Sequence, residues 1–188
     1  MAVAYDKYYQ TANLFGDPYP ELIDFFKNYP QRGQLLDMGC GQGRDAIPLA
    51  RLGYNVTGVD HSKVGIAQMK KTAQAENLSL KGMVVDIYQY DHFSEFDFIL
   101  LDSMFHFTRV DKKKETDLVK RILLGSRKDA VIVFCLQHTG NKVSILNKTI
   151  DAVGNQKRIF ETDLAYNYQD TQSGHSSTTN YKMIVTKH

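Results

Sequence analysis

The sequence predicts an α/β fold: a doubly wound, mostly parallel sheet closed by a final antiparallel hairpin strand. Three observations predict it. Apolar, strand-like runs alternate with helix-like stretches from Gln34 onward. A glycine-rich turn, LLDMGCGQG at 35–43, joins the first such strand to the first such helix. The last two strand-like segments, about 157–168 and 178–187, have only the polar loop DTQSGHSSTTN between them, so they should pair antiparallel.

Residues 1–30 come before the alternating region. Tyr5, Tyr8 and Tyr9 recur at i, i+3 and i+4 and so share one helical face. Asp17 followed by Pro18 reads as a helix start. The helix PYPELIDFFKNY then buries Leu22, Ile23, Phe25 and Phe26 until Pro30 stops it. A strand at 34–37 enters the glycine turn, and a helix at about 44–52 closes at Gly53. A strand at 55–60 leads through Ser62, a helix cap, into a helix at 63–76. There follow a strand at 80–86, an irregular stretch, a strand at 96–102 and a charged helix at 111–124 ending near Gly125. The strand at 129–136 is the most apolar, as a central parallel strand should be, and a helix at 141–153 ends at Gly154. The KKKE run at 112–115 reads as a solvated helix face. At 188 residues the chain is expected to form one domain, with 1–30 a helical cap and 31–188 the α/β core.

Composition narrows the function. A formal net charge of +2 argues against a surface built to neutralise nucleic-acid phosphates. No apolar run approaches the ~20 residues of a membrane span, and the first ten residues lack a signal-peptide layout, so a cytoplasmic location is expected. Cys40 and Cys135 read as free thiols in a reducing compartment. Two cysteines without histidine partners do not make a zinc site, and no metal is expected. The pattern leaves the oligomeric state open.

The glycine turn carries the chemistry. Asp37, Gly39, Gly41 and Gly43 form D-x-G-x-G-x-G, with Cys40 inside it. Glycine serves where backbone angles exclude a side chain or where a ligand must touch the main chain. Four acids, Asp37, Asp60, Asp86 and Asp102, fall at the carboxyl ends of predicted strands, the edge at which open α/β sheets bind ligands. Asp60 is placed to accept hydrogen bonds from ribose hydroxyls. A pyrophosphate wants helix N–H groups and no nearby carboxylate. Asp37, just before the glycines, suits a cationic ligand better, and the third glycine comes one residue early for G-x-G-x-x-G.

On these residues the chain resembles the class I S-adenosylmethionine-dependent methyltransferases, a Rossmann-like fold, from about Gln34 to the C-terminus. The resemblance implies S-adenosylmethionine as cofactor and S-adenosylhomocysteine as product. It implies that the turn, through Asp37, Gly39, Cys40, Gly41 and Gly43, holds the methionine part, and that Asp60 binds the ribose diol with His61 flanking ribose or adenine. Asp86 would face the adenine amino group with the Ile87 backbone beside it. The DSMFHF segment, beginning with Asp102 and Ser103, would line the methyl-transfer site; Asp102 reads as a polar support near the methionine end, with a base as the alternative. The segments YDKYY, NLFGDPYPEL and LDMGCGQGRDAIPLA look similar to the tellurite-resistance and thiol methyltransferase subgroup, which implies a small, soft acceptor such as a thiol or chalcogen anion.

Methyl transfer from a sulfonium is an in-line displacement, and a general base is needed only when the acceptor arrives protonated and weakly nucleophilic. His106, after the fourth strand, and His138, ending the fifth, are the candidates for a base or an acceptor-orienting group. The competing reading makes them backbone-bonded loop supports. Tyr9, with Tyr5, is the candidate lid over the site. Phe105 and Phe107 are expected to pack, and Asp45 to favour the first helical turn. Arg44 reads as a surface charge, with pairing to a carboxylate as the alternative, and His92, His175 and His188 read as surface residues. The competing functions are an RNA or protein methyltransferase and a non-catalytic S-adenosylmethionine-binding module. The segment after strand four is DSMF rather than the N-P-P-Y type used on bases, which disfavours the nucleic-acid reading.

Overall fold

A computed structural model of the chain describes residues 5–11, 13–169 and 176–188. His175 and part of the 170–180 loop lie outside the described residues, as do the side chains of Tyr5 and Tyr8. The elements run α1 (Tyr5–Tyr8), α2 (Pro20–Asn28), β1 (Gln34–Met38), α3 (Ala46–Arg51), β2 (Asn55–Asp60), α4 (Lys63–Ala75) and β3 (Leu80–Val84). A 3-10 turn at Phe93–Glu95 then precedes β4 (Phe98–Asp102), α5 (Lys112–Gly125), β5 (Val131–Gln137), α6 (Lys142–Val153), β6 (Lys157–Gln169) and β7 (Ser176–Lys187).

The sheet order is β3-β2-β1-β4-β5-β7-β6. The first five strands are parallel, while β7 pairs antiparallel with both β5 and β6. The doubly wound sheet with an antiparallel end is thus as the alternation predicts. The chain starts at the centre with β1, builds outward to β3, and returns to lay β4 on the other side of β1. That reversal is a topological switch point, and it opens a crevice at the carboxyl ends of β1 and β4.

Helices cover both faces. On one, Leu22 and Phe26 of α2 join Leu49 of α3 and Met69 of α4 against Leu35, Phe98 and Leu100. On the other, Leu118 and Ile122 of α5 and Leu146 of α6 pack on Leu36, Ile99, Leu101 and Ile132. Alternate residues of each strand feed the two cores, as a strand period of two requires.

Helix ends follow local chemistry, with three corrections. The second helix starts at Pro20 after Tyr19, two residues later than the Asp17–Pro18 reading, because Pro20 supplies the fixed φ at the first turn. Its end is as read: Tyr29, before Pro30, takes an extended ψ of 132°. The third helix begins at Ala46, so Arg44 and Asp45 belong to the turn. Finally, the KKKE run is not all solvated. Its lysines are exposed, but Glu115 is buried, because its carboxylate accepts the backbone N–H groups of His106 and Phe107. Ser62 caps α4 by accepting from Gly65 N at 3.0 Å, and Gly154 ends α6 with φ 81°.

Candidate active site

The crevice begins with the glycine turn. Gly39, Gly41 and Gly43 all have positive φ, at 75°, 51° and 87°. Gly41 needs glycine twice over, since a methyl group there would also run into the Tyr9 hydroxyl. The turn is anchored to β2 by Gly39 N and Cys40 N, which donate to Val59 O at 2.8 and 3.2 Å. The Asp60 carboxylate accepts from Gly41 N at 3.0 Å and from Ser62 N at 2.7 Å, so it ties the turn to the start of α4. Cys40 lends the crevice only its backbone. Its side chain is buried on the α2 face, where a methyl on Gly58 would meet its Sγ at 2.8 Å. Cys40 and Cys135 are both buried free thiols.

The N-terminal strap lies across this turn. Gln42 Nε2 donates to Thr11 O at 2.8 Å, and Leu14 N donates to Gln42 Oε1 at 3.0 Å. Gln68 of α4 donates to Tyr9 O at 2.8 Å, and Ser62 donates to the Asp6 carboxylate. Tyr9 is buried over Gly41 and Gly65.

Beside the turn is a buried charge cluster. Arg44 pairs with Asp45 and, across the switch point, with Asp102, while its guanidinium carbon sits 4.9 Å from the centre of the Tyr19 ring. Asp37, Asp45 and Asp102 are all buried. One guanidinium therefore faces three carboxylates. Burial and the neighbouring Asp45 and Asp102 carboxylates raise the Asp37 carboxyl well above the usual range, against the pull of Arg44. Burial and Asp45 push Asp102 up to about 8, again against Arg44. Burial works against the Arg44 charge, but Asp45 and Asp102 outweigh it and hold the guanidinium protonated. Asp37 Oδ2 is buried with no hydrogen-bond partner among the described residues. The surface-charge expectation for Arg44 is thereby corrected: its side chain is 13% exposed, because strand-end acids from two strands converge on it.

The segment after β4 closes the far side. Ser103, at φ 56°, donates its hydroxyl to Asp102 Oδ1 at 2.9 Å and its N–H to Cys135 O. Met104 lies over Gly39, and Phe105 stacks on Phe107 with centroids 5.5 Å apart. Tyr19 is buried between this segment and Tyr181, its ring centroid 5.5 Å from that of Tyr181.

The remaining candidates lie further out. His106 is exposed, and its backbone is held by Glu115. His138 is half exposed, with Nδ1 3.7 Å from Asp163. His61 is half exposed, 3.5 Å from Asp60. Asp86 is exposed two residues beyond β3 and accepts from Tyr88 N at 2.9 Å, while Ile87 packs against the core. His92 is at the surface, whereas His188 is only partly exposed and is pinned by Ser126 O at 3.0 Å. The structure thus gathers Tyr9, Asp37, Gly39, Gly41, Gly43, Asp60, Asp102 and Ser103 around the switch point and leaves His61, Asp86, His106 and His138 toward its margins. Sequence reasoning missed Tyr19, Gln42, Gln68 and Glu115. Arg44, a cation next to a turn ringed by acids, had carboxylate pairing as its second reading, and that is the one the structure bears out.

This fold is the Rossmann-like fold of the class I S-adenosylmethionine-dependent methyltransferases. The donor set fits that cofactor: bare backbone at the glycine turn, a carboxylate oxygen without a partner, and an excess of buried carboxylates suited to a sulfonium and an ammonium. The chain belongs to the family described as tellurite resistance protein TehB, whose model matches residues 2–128. It is 31% identical over 118 residues to a probable S-adenosyl-L-methionine-dependent methyltransferase TehB of Haemophilus influenzae, an alignment covering 63% of this chain and 39% of that relative. The chain thus spans well under two thirds of that relative's length. Among solved structures, TehB from Haemophilus influenzae superposes with TM-score 0.72 at 20% identity, covering 97% of this chain and 65% of the other. A structure described as converting a disulfide bond into a thioacetal group during echinomycin biosynthesis gives TM-score 0.74 at 20% identity, covering 93% and 83%. No helix among the described residues is long and apolar enough to cross a membrane.

Proposed function

We propose that the protein transfers the methyl group of S-adenosylmethionine to a small, soft nucleophile, a thiol or chalcogen anion. The observation that carries this reading is the three buried carboxylates set against one guanidinium at the end of β1 and β4. A site so biased favours a cationic cofactor and disfavours a polyanionic acceptor such as RNA. When bound, the cofactor supplies an electrophilic methyl carbon.

The chain's own residues bind, orient and exclude water. Asp37 and the backbone of Gly39, Cys40, Gly41 and Gly43 hold the methionine end, with Asp102 and Ser103 alongside. Asp60 spends one hydrogen bond per oxygen on Gly41 and Ser62. A carboxylate has about four lone-pair sites, so it retains acceptor capacity for a ribose diol. Asp86, Ile87 and His61 frame the adenosine. Tyr9 and the strap over residues 5–11 and 13–15 act as the lid, and opening them admits and releases the cofactor. His106 and His138 stand at the mouth, where either can take a proton from an incoming acceptor. A thiol suits this layout, because its anion is already populated near neutral pH and needs no buried base.

The test is transfer of a labelled methyl group to hydrosulfide, alkyl thiols and selenide, with RNA and protein as competing acceptors. Labelled methylated sulfur or selenium products are expected. Label found only in RNA or protein, or tight cofactor binding with no turnover on any acceptor, defeats the proposal.

A further inference from the structure

Tyr19 is 3% exposed, and its hydroxyl has no hydrogen-bond partner among the described residues. A buried hydroxyl left unpaired is destabilising. Phenylalanine, which this chain uses ten times, would fill the same space without that cost. The Ser103 hydroxyl, which gives its own proton to Asp102 Oδ1 at 2.9 Å, is near enough to act on the phenol but does not meet the Tyr19 hydroxyl in hydrogen-bond geometry. The phenol therefore keeps a donor proton that the described residues do not take up.

Its position bears on what takes it up. Tyr19 stands on the β4–β5–β7 side of the switch point, beside Arg44, Asp102 and Ser103. Tyr181, opposite Gln137 at the carboxyl end of β5, and Tyr166 of β6 complete an aromatic wall, with ring centroids 5.5 and 6.4 Å from that of Tyr19. Asp60 and Asp86, the adenosine side, lie on or beyond β2 and β3, across the sheet. With the methionine end of the cofactor held by Asp37, Asp102 and Ser103, an acceptor would approach from the side of Tyr19. Burial and the Asp102 carboxylate raise the phenol, so it keeps its proton and can donate it.

We propose that Tyr19 donates a hydrogen bond to the methyl acceptor in a subsite walled by Tyr166 and Tyr181, and so orients a small nucleophile that has a lone pair or negative charge to accept it. This rests on the small-molecule methyltransferase reading above. Aromatic walls also suit a polarisable sulfur or selenium centre.

Tyr19→Phe removes the hydroxyl alone and keeps the ring over Arg44. The measurements are thermal stability, S-adenosylhomocysteine affinity, and steady-state kinetics against a thiol and hydrosulfide at saturating cofactor, from pH 6 to 9. Expected are an unchanged or higher melting temperature, cofactor-product affinity within about twofold, and kcat/KM for the acceptor lower by about 10- to 100-fold. The ratio between wild type and variant should stay constant across pH, since the donor does not titrate in this range. Unchanged acceptor kcat/KM in Tyr19→Phe, or a loss confined to cofactor affinity, overturns the inference while leaving the function intact. A wild-type protein that methylates none of these acceptors overturns the functional reading, and the inference falls with it.

Discussion

Arg44 and Asp102 are paired across the switch point of the sheet, joining the glycine turn after β1 to the end of β4. This pair, 58 residues apart in sequence, places the one buried cation of the described cluster among Asp37, Asp45 and Asp102. Removing a partner from a buried pair leaves charge uncompensated. Arg44→Met should therefore destabilise the protein by roughly 3–5 kcal/mol in urea unfolding, with a smaller loss at acidic pH, where the carboxylates can protonate. Equal stability to wild type at pH 8 would mean that the cluster does not depend on this guanidinium.

Asp102 titrates at about 8, and Asp37 is shifted in the same direction. A carboxyl raised on folding contributes stability that is complete below its unfolded value near ~3.9 and is lost as pH rises through the folded value. The ligand-free protein should thus lose thermal stability steadily from pH 5 to about 8. Asp102→Asn should flatten the profile. Binding of a cationic cofactor favours the ionised carboxylates, so calorimetry near pH 6.5 in buffers of different ionisation enthalpy should register proton release. Proton uptake would contradict the charge logic of the crevice.

Gly41 has φ 51° and lies under the Tyr9 hydroxyl. In Gly41→Ala, the left-handed angle costs about 1–2 kcal/mol, and Tyr9 must also move. S-adenosylhomocysteine affinity, measured by calorimetry, should fall on the order of tenfold or more. An affinity within twofold of wild type would remove this turn from the ligand site.

Gln68 bridges α4 to the strap through Tyr9 O and Gln42. Gln68→Ala should speed backbone hydrogen exchange over the strap and raise the dissociation rate of S-adenosylhomocysteine by roughly 2- to 10-fold, the worth of the one hydrogen bond that reaches the strap directly, at Tyr9 O. Faster exchange with an unchanged dissociation rate would show that the strap does not gate the ligand.

Most of the scaffold is legible without coordinates. Ser62 and Gly154 sit at the helix ends their chemistry predicts, and the seven strands fall where the alternation puts them. The site is legible only in part. The glycine turn and Asp60 come together as spacing predicts, because both follow adjacent parallel strands. Glu115 was hidden inside a lysine-rich run, and Arg44 looked like a surface charge, since Asp102, the partner that draws it inward, lies 58 residues away in sequence. Tyr19 gave no signal at all, because an aromatic before a helix reads as ordinary packing.

The sequence by itself determined the order of strands and helices, the antiparallel end of the sheet and the backbone form of the glycine turn. These depend on periodicity and on φ, which neighbouring residues set. The tertiary structure alone decided that two carboxylates pair with one guanidinium beside a third, Asp37, that the strap is tied over the turn, and that the Tyr19 hydroxyl is buried without a partner among the described residues. Those relations join segments far apart in the chain, and their energies come from burial and from charges brought close in a low dielectric, neither of which exists until the sheet is assembled.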